Sequence, residues 1–155
     1  MNAANETLIR DLYTAMASRD AGAMALCYAP DARFSDPVFP ALKGPEIGAM
    51  WSMLCSRAKS LQVNLVDAAA TDAEGSAHWE AIYPFSKTGR MVHNRIAARF
   101  VFKDGKIVDH RDEFPLWRWA GMALGAKGQL LGWLPPVQNA IRQEAAKSLA
   151  EFMAR

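Results

Sequence analysis

Residues 91–114 read MVHNRIAARFVFKDGKIVDHRDEF, two alternating runs joined by Asp104 and Gly105. In the first run Val92, Ile96, Ala98, Phe100 and Phe102 hold even positions, while His93, Arg95 and Arg99 project from odd ones. A period of two with apolar residues on one side is the pattern of a half-buried strand, here with its even face inward. Asp-Gly supplies the left-handed conformations of a tight hairpin, so 91–102 and 107–114 are predicted as antiparallel neighbours. Upstream, Leu61, Val63 and Leu65 alternate with Gln62 and Asn64; turns at 72–75 and 86–89 then bracket a further strand at 77–83. Four strands joined this closely form an antiparallel meander, because parallel neighbours need long crossovers.

The period on both sides of the meander is helical. Leu8, Ile9, Leu12, Tyr13 and Met16 predict a helix over 5–18 with Asn5 as its N-cap. Asp20 caps a shorter helix running to 26–28, which Pro30 ends. A short extended piece covers 32–36, Pro37 and Pro40 keep the next stretch irregular, and Gly44-Pro45 opens a third helix with Ile47, Met50, Trp51 and Leu54 along its stripe. After Phe114 come PLWRWAGMALG (115–125), the glycine-spaced GQLLGWL (128–134), and a last helix from Pro135 to Arg155. Val137, Ala140, Ile141, Ala145, Leu149 and Phe152 form the stripe of that helix. The expected fold is α+β, with helical stripes covering one sheet face. Residues 1–117 form the domain, and 118–155 a helical extension packed on it or on a dimer partner.

With 155 residues, 51% of them hydrophobic, the chain supports one sizeable core. Eighteen basic and sixteen acidic residues, not gathered into blocks, argue against nucleic acid as a partner. MNAANETLIRDLY lacks a basic start followed by an apolar run, and no stretch reaches the roughly 20 apolar residues of a spanning helix. A cytoplasmic protein without membrane association is expected, with Cys27 and Cys55 as buried reduced thiols. No phosphate loop, nucleotide fingerprint, nucleophile elbow or metal-ligand spacing occurs, so neither cofactor nor metal is expected.

Three stretches, LYTAMASRDAGAMALCYAPDARFSDPVF (12–39), KGPEIGAMW (43–51) and GKIVDHRDEF (105–114), in this order and spacing resemble the nuclear transport factor 2-like superfamily over residues 5–117. That superfamily includes ketosteroid isomerases, limonene epoxide hydrolases and SnoaL-like polyketide cyclases. The resemblance implies a cone: a curved antiparallel sheet, the four-strand meander plus a short N-terminal strand, wrapped around the N-terminal helices with an apolar pocket at its open end. It implies Asp36, in SDPVF, as a general base. The competing reading makes Asp36 an Asx-turn residue holding backbone amides before proline. Where an isomerase carries its oxyanion-stabilising tyrosine and acid, this chain has Leu12 and Ala98. HRDEF resembles the epoxide hydrolase strand and implies Asp112 as a second acid or base. AHWEA corresponds to that enzyme's Arg and Asp, giving His78 and Glu80 within one residue of register. Alternation places His78 with Glu80, and His110 with Asp112, so a linked cluster is expected in which a histidine tunes a carboxylate.

Tyr13, Phe34, Trp51, Phe100, Phe114 and Trp117 are the candidate ligand-binding residues, with 116–134 as a lid. Trp79 and Tyr83 are expected on the outer sheet face beside Arg95, Arg99 and Arg111, forming a homodimer surface. The functional expectation is acid-base isomerisation, cyclisation or epoxide hydration of a small apolar molecule without a cofactor. The alternative is a non-catalytic ligand-binding or dimerisation domain. An enzyme needs a carboxylate that lines the cavity and titrates abnormally; a binding domain does not.

Overall fold

The computed structural model describes residues 1–58 and 60–155. Its elements in chain order are α1 (Ala3–Ala17), α2 (Ala21–Ala25), β1 (Tyr28–Ser35), β2 (Leu42–Lys43), α3 (Pro45–Arg57), β3 (Gln62–Ala70), β4 (Glu74–Pro84), β5 (Met91–Lys103), β6 (Lys106–Glu113), α4 (Leu116–Leu124), α5 (Ala126–Leu131) and α6 (Pro135–Met153). The strands form one curved, unclosed sheet in the order β2-β1-β6-β5-β4-β3. The meander β3 to β6 follows the alternation, and Asp104 and Gly105 take positive φ at the β5–β6 turn. The strand count exceeds expectation by one, because the two-residue β2 folds back on β1 with Leu42 opposite Phe34.

One pairing departs from an all-antiparallel sheet. β1 runs parallel to β6, with Phe34 opposite His110 and Ser35 opposite Arg111. The chain between them contains α3 and four strands, ample for the crossover that a parallel pair requires. Helix α1 lies in the concavity of the sheet, where Ile9 and Leu12 are fully buried; burial of such a side chain contributes about 1.5–3 kcal/mol.

Three local expectations are corrected. Asn2, not Asn5, caps α1 by accepting the Asn5 amide; Asn5 is buried, and its side chain ties the helix to the carbonyls of Thr71 and Asp72. Helix α2 stops at Ala25, before Pro30, because β6 captures the chain there: the Ile107 amide donates to Cys27 and Lys106 Nζ to Leu26. The third correction has the largest consequence. In the β4–β5 hairpin each odd-numbered residue stands opposite an even-numbered one, as in Trp79 opposite Ile96 and Ala77 opposite Ala98. Opposed residues share a face, so the inward even face of β5 turns the odd face of β4 inward. Trp79 is therefore buried, and His78 and Glu80 stand on the outer face. The aromatic basis for a dimer surface there is lost with Trp79 and Tyr83.

The last quarter of the chain packs on the same chain. Leu116, Trp119, Ala120 and Ala123 of α4 form a second apolar cluster with Val92 of β5. Leu149 of α6 enters the main core, with Phe152 packed against it. Cys27 and Cys55 are free and buried. No helix among the described residues is long and apolar enough to cross a membrane.

Candidate active site

A cavity of about 390 Å³ lies between the concave sheet face and helices α3, α4 and α6. The sheet contributes Trp79, Ala81, Tyr83, Asn94, Ile96 and Asp112; the segment after β1 contributes Asp36, Val38 and Phe39. Trp51 and Met53 of α3 and Trp119 of α4 add apolar wall, and Val137, Ala140, Ile141 and Ala145 of α6 close over it. That closure answers the packing demand of the C-terminal stripe.

The parallel β1–β6 pairing brings two carboxyl groups to the cavity. Asp36 follows Ser35 just as Asp112 follows Arg111, its partner in register. The two carboxyl groups therefore come to adjacent chains at one level of the sheet, where neighbouring strands lie about 4.8 Å apart, and both line the cavity.

Asp36 makes the backbone-holding turn of the competing reading and also lines the cavity. Its Oδ1 accepts the amides of Val38 at 2.7 Å and Phe39 at 2.6 Å, an Asx-type turn. Its Oδ2 makes no hydrogen bond among the described residues. Burial pushes the group from 3.8 to about 7, opposed by the Phe39 amide, reinforced by the charge of Asp112, and opposed again by the Val38 amide.

Asp112 ends a buried polar chain. Trp51 Nε1 donates to Tyr28 Oη at 3.1 Å, Tyr28 Oη lies 2.8 Å from His110 Nδ1, and His110 Nε2 lies 2.8 Å from Asp112 Oδ1. Trp79 Nε1 makes a longer 3.5 Å contact with the same oxygen. Phe34 meets the imidazole edge-on at 5.0 Å and Phe100 packs on it at 4.4 Å, which fixes the ring plane.

The expected residues therefore separate. Asp36, Asp112, Trp51 and Phe114 line the cavity, and His110 stands directly behind Asp112. Phe34 and Phe100 buttress His110 instead of touching the space, and Tyr13 lies behind Trp79, with ring centroids 5.1 Å apart. Trp117 points away, 46% exposed, with its Nε1 on the Gln129 carbonyl. His78 pairs with Asp67 and Glu80 with His93, both on the outer face. The hydrogen bond from His93 holds Glu80 below its ordinary value.

Sequence reading missed Tyr83, Asn94 and Trp119. Tyr83 Oη accepts the Trp119 indole N–H at 2.9 Å, so its own proton is free for a ligand oxygen. Burial raises this phenol; the Trp119 hydrogen bond works against burial, and the charge of Asp36 adds to it, so the phenol remains a neutral donor. Helical spacing does single out Trp119: it shares the i, i+3, i+4, i+7 stripe with Leu116, Ala120 and Ala123, whereas Trp117 does not. Among the described residues, no group of three or more His, Cys, Asp or Glu side chains is placed to hold a metal ion.

A curved, unclosed sheet with helices at both ends is the cone fold of the nuclear transport factor 2-like class. The sequence pattern of the SnoaL-like domain matches residues 9–110, well over half of the chain, and the chain belongs to that family. No curated protein matches it. Similar solved structures include an LEH-like epoxide hydrolase from M. tuberculosis (15% identity, 85% of this chain and 96% of that one, TM-score 0.65). A SnoaL-like polyketide cyclase, by provisional assignment, from Jannaschia sp. CCS1 shares 16% identity over 79% and 92% of the two chains, TM-score 0.67. A protein with a ketosteroid isomerase-like fold from Catenulispora acidiphila, bound to trimethylamine, shares 12% identity over 75% and 91%, TM-score 0.66. At these identities the likeness is one of fold.

Proposed function

We propose that this protein is an acid-base enzyme that moves a proton on a small, mostly apolar carbonyl compound, as in isomerisation or ring closure. The observation that carries this reading is the pair of carboxyl groups on adjacent parallel chains, open to one apolar cavity, with Asp36 held at about 7. A base poised near the working pH is the most effective proton carrier.

In this mechanism ionised Asp36 takes a proton from the carbon beside the carbonyl: the C–H bond breaks, an O–H bond forms on Asp36, and the electron pair moves to the carbonyl oxygen. The Tyr83 hydroxyl donates to that oxygen as its charge develops. Asp36 then returns the proton to another carbon, or to the alkoxide formed when the enolate closes a ring. Asp112 keeps a second charge beside Asp36, which raises its proton affinity. Ala98 stands directly opposite Asp112, so a carboxyl reaches the rung of the isomerase acid from the paired strand. Epoxide hydration is less well supported. The inward positions around His78 and Glu80 hold Trp79 and Ala81, not an Arg and an acid.

The test is deuterium exchange from D2O into the α-carbon of small cyclic ketones such as 2-tetralone. The expected result is saturable exchange that rises with pH through an inflection at about 7 and slows roughly hundredfold in Asp112→Asn. Wild-type exchange no faster than in protein-free buffer contradicts the proposal and favours a ligand-binding domain; catalysed exchange that Asp112→Asn leaves unchanged would remove Asp112 from the mechanism. Tyr83→Phe is expected to lower the maximal exchange rate roughly hundredfold with little change in half-saturation; an unchanged maximal rate would remove Tyr83 from the mechanism.

A further inference from the structure

The buried chain Trp51–Tyr28–His110–Asp112 has a direction. An indole N–H can only donate, so Tyr28 Oη accepts from Trp51 at 3.1 Å. The Tyr28 proton then needs an acceptor, and the group in reach is His110 Nδ1 at 2.8 Å. An unprotonated Nδ1 puts the ring proton on Nε2, which donates to Asp112 Oδ1 at 2.8 Å. The opposite tautomer fails twice. It aims Nδ1–H at a hydroxyl that already accepts from Trp51, leaving the buried Tyr28 proton without a partner. It also sets the bare Nε2 against a carboxylate oxygen. Each unmet buried group of this kind is costly.

We infer that Tyr28 and Trp51 are positioning residues that hold His110 as the Nε2–H tautomer, so that His110 anchors Oδ1 of Asp112 and does not itself carry protons. This inference rests on the proposed role of Asp112 but not on any substrate. His110 is fully buried and outside the cavity wall, while its hydrogen-bond partner Asp112 lies in that wall. The rings of Phe34 and Phe100 prevent the imidazole from turning to exchange its nitrogens. Tyr28 is likewise outside this cavity, so its removal leaves the binding walls in place.

The test combines nitrogen-15 spectra of the His110 ring in the ligand-free protein with kinetics. Wild type is expected to show a bare Nδ1 and a protonated Nε2. Tyr28→Phe removes one hydroxyl and is expected to give a mixture of tautomers, a maximal exchange rate about tenfold lower and an unchanged half-saturation. His110→Gln, whose amide nitrogen reaches the place of Nε2, is expected to keep most of the rate, whereas His110→Ala loses it. A proton on Nδ1 in wild type, or a spectrum and rate unchanged in Tyr28→Phe, overturns the inference; so does a His110→Gln variant that folds but has no activity. If the spectra come out as expected while the wild type exchanges no faster than protein-free buffer, the tautomer assignment stands and the proposed function falls. Thermal melts of each variant identify any that fail to fold, and the wild-type spectrum decides the inference without them.

Discussion

Asp36→Asn is expected to abolish turnover, by roughly a thousandfold or more, and at the same time to make the protein more stable above neutral pH. Asparagine keeps an oxygen for the Val38 and Phe39 amides, so the turn survives. What it removes is a titrating group whose folded value, about 7, lies above the unfolded 3.8. Below 3.8 the group is protonated in both states. Between 3.8 and 7 only the folded state holds the proton, so wild-type stability falls as pH rises through that window and the loss is complete above 7. Each tenfold of proton affinity is worth about 1.4 kcal/mol, so ionised Asp36 costs on the order of 4 kcal/mol at pH 8. The variant should therefore melt roughly 8–16 °C above wild type at pH 8 and close to it at pH 4. Calorimetry at the two pH values checks this; a variant that melts at or below wild type at pH 8 refutes the assigned environment of Asp36.

Gly128→Ala is expected to cost at least about 3 kcal/mol and to detach α5 from α4. A Cβ at this position would lie 1.9 Å from the Ala120 carbonyl oxygen and 2.4 Å from its carbon. These are backbone atoms of the facing helix, so relief requires the helices to separate. Gly121 is a contrasting control, because its added methyl would meet the Gln129 side chain at 3.2 Å, and that chain can swing aside. Since Trp119, Leu124 and Lys127 enter the cavity wall from these helices, Gly128→Ala should also weaken ligand binding. The check is thermal denaturation with amide exchange across residues 116–131. Equal protection of this region in the Gly128→Ala and Gly121→Ala proteins would contradict the close packing.

Much of the fold was legible because it rests on local patterns: the alternation of β5, the Asp104-Gly105 turn, Pro45 at the start of α3, and the stripe of α6. Asp36 and Asp112 were legible as carboxylates in suggestive settings. Their adjacency was not, since it depends on a parallel pairing between strands far apart in sequence. The β4 face was misread for a related reason. Period two specifies that residues alternate but not which parity faces inward; the pairing across 84–91 decides that. Trp79 and Tyr83 consequently moved from a presumed partner surface into the cavity, while His78 and Glu80 moved out of it. The positioning of His110 by Tyr28 and Trp51 had no sequence signature, because both residues also fit ordinary core positions.

Carbon-13 titration of the Asp36 carboxyl in the ligand-free protein tests the electrostatic setting without any knowledge of the substrate. A midpoint at about 7, moving downward when Asp112 is replaced by asparagine, is the predicted result. A midpoint near 3.8 that ignores position 112 would mean that solvent reaches the group freely, and the reaction chamber would lose its base.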